Sequence, residues 1–314
     1  MNVGALNRRD FLIGTGLAGA AVLTGCQTPH RANAGIIDCH THFYDPTRPE
    51  GVPWPGKNET LLYRRVLPRD YTALAQPLGV TGTVVVEASA WLEDNQWVLD
   101  LARQEPFIKG LVGHLNPGDA EFGAQVKRFA RHPLFRGVRV SGREVAKLTE
   151  AGKIRALEAL ARTGLSLDVN GGVDSLLSVA ALARAVPKLR IIIDHVANVR
   201  IDGGMPPADW RAGMERVAAS PNVACKISGL VEGSGRRGAA PRELNFYRPV
   251  LDHVWNCFGE DRVIFGSNWP VCELFAELAT VLEIVRAYFA EKSGGASAKY
   301  FADNARTFYR WVER

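Results

Sequence analysis

Eight short runs of apolar and β-branched residues recur along the chain, and segments with apolar residues every three to four positions separate them. From the start of one run to the start of the next there are 25 to 47 residues, the length of a strand followed by a helix. The runs are almost continuously hydrophobic, as expected for strands that other elements cover on both faces. They span residues 36–39, 83–87, 108–113, 137–140, 165–169, 190–194, 223–227 and 262–265.

Eight strand–helix units in about 280 residues predict one α/β domain, a (β/α)₈ barrel over residues 36–314. The competing fold is a doubly wound open sheet, which normally carries a Gly-rich phosphate loop after its first strand. Here that position reads Asp38-Cys39-His40-Thr41-His42, so the barrel is favoured. We expect residues 298–311 to form a helical tail on the barrel exterior, and the Pro-rich loop 44–67 to cover its mouth.

The first 35 residues have the features of a targeting segment and are not expected to belong to the folded domain. Asn7-Arg8-Arg9-Asp10-Phe11-Leu12 resembles the twin-arginine export motif, and the apolar stretch 11–23 is shorter than the roughly 20 residues needed to span a bilayer. Leu23-Thr24-Gly25-Cys26 resembles a bacterial lipobox. The sequence thus predicts a signal peptide over 1–25, a linker over 26–35, and a periplasmic protein anchored by lipid at Cys26, with the outer membrane favoured. The alternative is an N-terminal helix packed on the domain.

Composition and charge exclude several classes of protein. With 46% hydrophobic and 23% charged residues, the chain has the composition of a globular domain. Its net charge of +5 comes from basic residues spread without a block of five, which argues against nucleic-acid binding. Five cysteines without a Cys-x-x-Cys pair indicate neither a disulfide framework nor a zinc finger. The expected partner is a small-molecule substrate, and the pattern indicates no oligomeric state.

Polar residues with chemical function stand where the predicted strands end, which is the active-site face of such a barrel. His40 and His42 close the first strand, and their i, i+2 spacing puts both rings on one side of an extended chain. His195 follows the sixth strand. Together these three histidines are a stronger signal than a lone His-x-His. The other strand-end residues are Glu87, His114, Arg139, Asp168, Asn170, Asp194, Lys226 and Asn268.

Five segments resemble the lactonase branch of the amidohydrolase superfamily, which also includes related decarboxylases. The resemblance covers about residues 36–312 and is specific for the fold, whereas substrates vary within the branch. The segments are Ile37-Asp38-Cys39-His40-Thr41-His42, Phe135-Arg136-Gly137-Val138-Arg139, Ile193-Asp194-His195-Val196, Lys226-Ile227-Ser228-Gly229-Leu230 and Phe265-Gly266-Ser267-Asn268-Trp269-Pro270-Val271.

The resemblance implies roles for the histidines. In metal-using members the residues matching His40, His42 and His195 bind a divalent metal, here zinc or manganese. In metal-free members the same imidazoles bind the substrate, so a metal site and a metal-free site are equally open. In both groups an aspartate after strand eight activates water. Arg139 matches an arginine that clamps a substrate carboxylate through a bidentate fork.

The chain departs from this pattern at Asn268, which stands where the aspartate is expected, and an amide cannot accept a proton. Three interpretations stay open. A bound metal could activate water with less help from a base. Another residue, namely His114, Glu87 or Asp194, could take the proton. The reaction could also be an isomerisation in which Asn268 donates a hydrogen bond to an oxyanion.

The sequence therefore predicts an exported hydrolase that opens a small carboxylated or sugar-acid lactone. The alternatives are a lactone isomerase, a metal-dependent decarboxylase or a non-catalytic lipid-anchored binding protein. We expect Arg139, Glu87, His114 and Trp269 to bind substrate, with Trp269 packing against its ring. Each has a structural alternative, and Glu87 could instead pair with Lys226 across the mouth.

Overall fold

A single sheet of parallel strands in consecutive order forms the centre of the molecule. The computed structural model describes residues 35–312. Each strand pairs with the next along the chain, from the first to the eighth. The strands are β1 (Ile36–Thr41), β2 (Val80–Val86), β3 (Ile108–His114), β4 (Phe135–Ser141), β5 (Ser166–Asn170), β6 (Ile191–Ile193), β7 (Val223–Ile227) and β8 (Val263–Phe265). The predicted (β/α)₈ barrel is confirmed, and the open-sheet alternative is wrong.

The first and last strands meet at the mouth of the barrel. Thr41 forms a parallel bridge with Trp269, and the backbone N–H of His42 donates to the carbonyl oxygen of Trp269 at 2.9 Å. The barrel is therefore nearly closed, and this closure brings residues from the two ends of the domain together.

Both faces of the strands are buried. One set of strand residues packs under the surrounding helices, and the alternate set, including Ile37, Val84 and Ile192, fills the barrel interior. This explains the almost continuous hydrophobicity of the runs. The α-helices are Pro68–Ala75, Asp94–Gln104, Phe122–Ala130, Gly142–Glu150, Glu158–Thr163, Val173–Ala185, Ala208–Ala218, Leu230–Gly233, Leu244–Phe258, Leu278–Ala290, Ala296–Ala298 and Asn304–Tyr309.

The expected position of the C-terminal tail is wrong. A π-helical turn, Lys299–Asp303, and the helix Asn304–Tyr309 place apolar side chains against the residues that fill the barrel interior. Arg190, which precedes β6, donates to the backbone carbonyl of Phe308 at 2.6 Å, so the tail closes the end of the barrel opposite the mouth. The apolar pattern predicted a buried face correctly, but it did not say which surface would bury it.

The predicted signal peptide and most of the linker lie outside the described residues. Of the helices in residues 35–312, none is both long enough and apolar enough to cross a membrane.

Candidate active site

The predicted histidines cluster at the carboxyl end of the barrel. The rings of His40 and His42 are edge-to-face with centroids 5.0 Å apart, as their i, i+2 spacing indicates. The ring of His195 lies 4.3 Å from that of His40. Burial lowers the pKa of all three; that of His42 falls to about 3 and that of His195 to about 4. The cluster therefore consists of neutral imidazoles near neutral pH.

A cavity of about 710 Å³ opens above this cluster. Six of the eight predicted site residues line it, whereas His40 and Trp269 do not. These six are His42, Glu87, His114, Arg139, His195 and Asn268, joined by Trp54, Glu144, Asn170, Asn198 and Glu232 among others. The loop 44–67 contributes Trp54, whose ring centroid lies 5.7 Å from that of His42.

The expectation that Trp269 contacts a substrate ring is wrong. Its side chain is fully buried, its ring packs 5.1 Å from Tyr71, and its indole N–H donates to Glu273 at 2.8 Å. The backbone of Trp269 closes the barrel, as described above, and this directs the ring away from the cavity. Trp54 and Phe275 are aromatic residues in the cavity wall that the sequence analysis did not single out as substrate contacts.

A buried ion cluster supports His40 from below. The ammonium nitrogen of Lys226 lies 2.6 Å from Oδ2 of Asp168, 2.8 Å from Oδ1 of Asp194 and 3.2 Å from Nδ1 of His40. Burial alone would lower the pKa of Lys226, but the two carboxylates outweigh it and raise the pKa above its ordinary value. Lys226 is therefore charged; it donates to Asp168 and to His40 and forms an ion pair with Asp194.

These contacts fix the protonation of His40. Nδ1 lies 3.2 Å from the Lys226 ammonium and 3.5 Å from Oδ1 of Asp194. Because an ammonium can only donate, we assign the ring proton of neutral His40 to Nε2. That nitrogen is buried and has no hydrogen-bond partner within the described part of the chain. His40 is completely buried, so it supports the floor of the cavity instead of lining it.

Arg139 and Glu87 form an ion pair in the cavity wall. Nε of Arg139 donates to Oε1 of Glu87 at 2.9 Å, and Nη2 donates to the backbone oxygen of Glu87 at the same distance. The suggested pair between Glu87 and Lys226 is therefore wrong, since Lys226 lies deeper and bonds to Asp168 and Asp194. The guanidinium charge is largely neutralised before any substrate arrives.

His195 is held by an unusual turn. Residues 195–198 all have positive φ, between 45° and 55°, a conformation that costs of order 1–3 kcal/mol per non-glycine residue and occurs at functional sites. Nδ1 of His195 lies 2.9 Å from Oγ of Ser228, which fixes the ring. Gly229 is required next to it, because a Cβ there would lie 2.8 Å from Cβ of His195.

Asn268 joins two cavity residues. Its amide nitrogen donates to Oε1 of Glu232 at 2.8 Å, and its amide oxygen lies 3.2 Å from Nε2 of His42. Nδ1 of His42 lies 2.9 Å from the backbone oxygen of Val86, so it carries the ring proton. Glu232 was missed by the sequence analysis, and its only sequence signal is its position five residues after the end of β7.

The donor set does not fit a divalent metal. Within residues 35–312, no three His, Cys, Asp or Glu side chains are arranged to share an ion. His40 has a proton on Nε2 and an ammonium at Nδ1, and the position of the expected carboxylate is an amide, Asn268.

Comparisons with known proteins agree with this fold. The family model for amidohydrolases matches residues 37–311. An L-fucono-1,5-lactonase from Burkholderia ambifaria is 34% identical over 281 residues, which cover 87% of this chain and 95% of that protein. Another from Burkholderia multivorans is 30% identical and covers 85% of this chain and 95% of its own length.

Solved structures agree as well. Two crystal structures of an amidohydrolase from Burkholderia multivorans, one with bound HEPES and one with bound zinc, superpose with TM-scores of 0.79 and 0.78. Both are 26% identical, and the alignments cover 89% of this chain and all of theirs. The zinc is bound to the Burkholderia multivorans protein. The present chain has the histidines, Lys226 and Asn268 described above at this site.

Proposed function

We propose that this chain, which belongs to the amidohydrolase family, is a hydrolase that opens the ring of a sugar-acid lactone without a metal. Support for the reaction comes from its relatives named L-fucono-1,5-lactonase. The cavity of about 710 Å³ at the barrel mouth, with polar side chains in its wall, has room for such a lactone. The reaction forms a bond between water oxygen and the lactone carbonyl carbon. It breaks the bond between that carbon and the ring oxygen.

The Arg139–Glu87 ion pair is the observation that favours a sugar-acid lactone over a carboxylated one. A guanidinium already bonded to a carboxylate has less attraction for a second carboxylate. Carboxylate and amide groups, including Glu144, Asn170 and Asn198, also line the cavity. Such groups accept and donate hydrogen bonds, which suits a neutral, polyhydroxylated ring.

The neutral histidines provide polar groups without net charge. His195 is held at Nδ1 by Ser228, and its Nε2 has no hydrogen-bond partner in residues 35–312. We assign it to the lactone carbonyl oxygen, where an N–H donor would stabilise the negative charge that develops as water adds. His40 maintains this arrangement from below through its contact with the ring of His195.

A panel of lactones tests the proposal. Five- and six-membered sugar-acid lactones and carboxylated lactones are incubated with the purified protein, acid release is followed with a pH indicator, and spontaneous hydrolysis is subtracted. We expect kcat/KM at least 10-fold higher for neutral sugar-acid lactones than for carboxylated ones. No acceleration with any lactone would refute the proposal. Conversion between lactone ring sizes, seen by NMR without acid release, would indicate an isomerase instead.

We also propose that the protein is exported and anchored by lipid at Cys26. Support comes from the sequence alone, namely the Arg8-Arg9 pair, the short apolar stretch and the lipobox-like residues before Cys26. Export would place the enzyme where it meets lactones before they enter the cell.

A further inference from the structure

Glu232 lines the cavity and has no role in the reaction as described above. It lies in the short helix Leu230–Gly233, directly after β7, and lines the cavity together with Asn268. Oε1 accepts the hydrogen bond from Asn268, whereas Oε2 is buried and has no hydrogen-bond partner among the described residues. A buried, unpaired carboxylate oxygen is costly, and a proton or a bound water would relieve that cost.

The hydrogen bonds around Asn268 require a proton in this chain of contacts. His42 uses its Nδ1 proton on Val86, so Nε2 of the neutral ring is an acceptor, yet it faces the amide oxygen of Asn268. The low pKa of His42 leaves its ring without a second proton, so one arrangement resolves this conflict between two acceptors. The amide turns over, donates to His42 and accepts a proton from a neutral Glu232. This arrangement places the proton on Glu232.

We propose that Glu232 is the catalytic group that takes and returns the proton during lactone opening, and that Asn268 is the positioning residue that links it to His42. This inference rests on the proposed function. Ionised Glu232 accepts a proton from water at Oε2 while the water oxygen bonds to the carbonyl carbon. When the bond to the ring oxygen breaks, Glu232 returns the proton to that oxygen, so the carboxylate is regenerated and the product is the open hydroxy acid.

The surroundings of Glu232 suit this role. Burial raises its pKa to about 7, near the pH at which a general base is most effective. The other titratable groups that face it are Tyr247 and Cys272, together with His42 through Asn268. No ion pair to Glu232 is present in the region that the structure describes.

Two of the three bases that the sequence analysis considered, Glu87 and Asp194, are less suited. Glu87 is bonded to Arg139, so its protonation would break an ion pair. Burial would raise the pKa of Asp194, but the Lys226 ammonium outweighs it and holds that pKa well below its ordinary value. Glu232 therefore provides the carboxylate that the amide at position 268 cannot.

The test compares Glu232→Gln with Glu243→Gln, a matched change at an exposed glutamate. Glutamine keeps an oxygen for Asn268 but cannot accept a proton. We expect kcat of Glu232→Gln to fall about 100-fold or more with KM within about threefold of wild type, as for loss of a general base. In the wild type, kcat/KM should fall as the pH decreases below about 7. In Glu232→Gln this fall should be absent. Glu243→Gln should match wild type.

A second variant separates loss of the base from damage to the site. Adding Asn268→Asp to Glu232→Gln places a carboxylate at the neighbouring position, and we expect at least a 10-fold recovery of kcat. Circular dichroism and thermal melting verify the fold of each variant. Activity of Glu232→Gln within threefold of wild type, with the same fall in kcat/KM at low pH, would overturn the inference.

A measurement without substrate keeps the two proposals apart. Infrared difference spectra of wild type against Glu232→Gln, taken between pH 5 and 9, should show one protonated carboxyl that titrates near pH 7 in the wild type only. A wild-type protein that opens no lactone but shows this signal refutes the proposed function alone. A wild-type protein that opens lactones but lacks the signal refutes the role of Glu232.

Discussion

Replacing Lys226 by methionine tests whether the buried ion cluster holds the floor of the site. Methionine has a similar length and no charge, so the change leaves the carboxylates of Asp168 and Asp194 buried and uncompensated. Removing one partner of a buried ion pair costs about 3–5 kcal/mol of unfolding free energy. At roughly 2–4 °C per kcal/mol for a domain of this size, the melting temperature should fall by about 10 °C.

The loss should depend on pH in a defined direction. With Lys226 present, burial, as the largest cause, raises the pKa of Asp168 from its ordinary value near 3.8 to about 6. Without the ammonium this pKa rises further, because the ionised form loses its closest cation. When the folded-state pKa of a carboxyl is raised, the loss of stability begins above its unfolded-state pKa and is complete above its folded-state pKa. The difference between wild type and Lys226→Met should therefore be largest at pH 7 and above, and shrink as the pH falls toward 5.

Urea unfolding followed by tryptophan fluorescence measures the effect, with reversibility confirmed for each variant. Lys147→Met is the matched control, since Lys147 is exposed, and it should change stability by less than about 0.5 kcal/mol. Adding Asp168→Asn to Lys226→Met should recover part of the loss, because it removes one of the two uncompensated charges. A deficit below about 1 kcal/mol, equal at pH 5 and pH 7, would refute this account of the cluster.

Other consequences are open to simple measurements. Activity should survive prolonged dialysis against a chelator within about twofold; one equivalent of zinc lost together with activity would contradict the metal-free site. Tyr309→Phe should cost about 1.5–3 kcal/mol in urea unfolding, since the Tyr309 hydroxyl donates to the Asp168 carboxylate at 2.7 Å. Cys26→Ser should move the expressed protein from the membrane to the soluble fraction; unchanged fractionation would argue against lipid anchoring.

The strands could be predicted from the sequence because parallel barrel strands are buried on both faces. The run 223–227 coincides with β7, and the run 36–39 lies within β1 (Ile36–Thr41). The tail could not be placed, since an apolar helix face fits the outside of a barrel as well as its open end. Here the contact that places the tail is the hydrogen bond from Tyr309 to Asp168 in the barrel interior. A hydrophobic periodicity cannot predict such a contact.

The histidine cluster was predictable for a similar reason. Strand ends of a parallel barrel converge at one face, so residues such as His40 and His195 meet there although they are far apart in sequence. Pairing between charged residues was not predictable, because it depends on depth along the barrel. Lys226 lies below the cavity and Glu87 lies in its wall, so Glu87 bonds to Arg139.

The distribution of charge explains how an amide can stand at position 268. Lys226 is balanced by Asp168 and Asp194 beneath the floor, and Arg139 is balanced by Glu87 in the wall. A second carboxylate at 268 would lie within hydrogen-bonding distance of Glu232, where two like charges disfavour each other's ionised form. Asparagine avoids that repulsion and donates a hydrogen bond to Glu232. The proton acceptor is then Glu232, the hydrogen-bonded neighbour of position 268, instead of residue 268 itself. The neutral histidines contact the substrate.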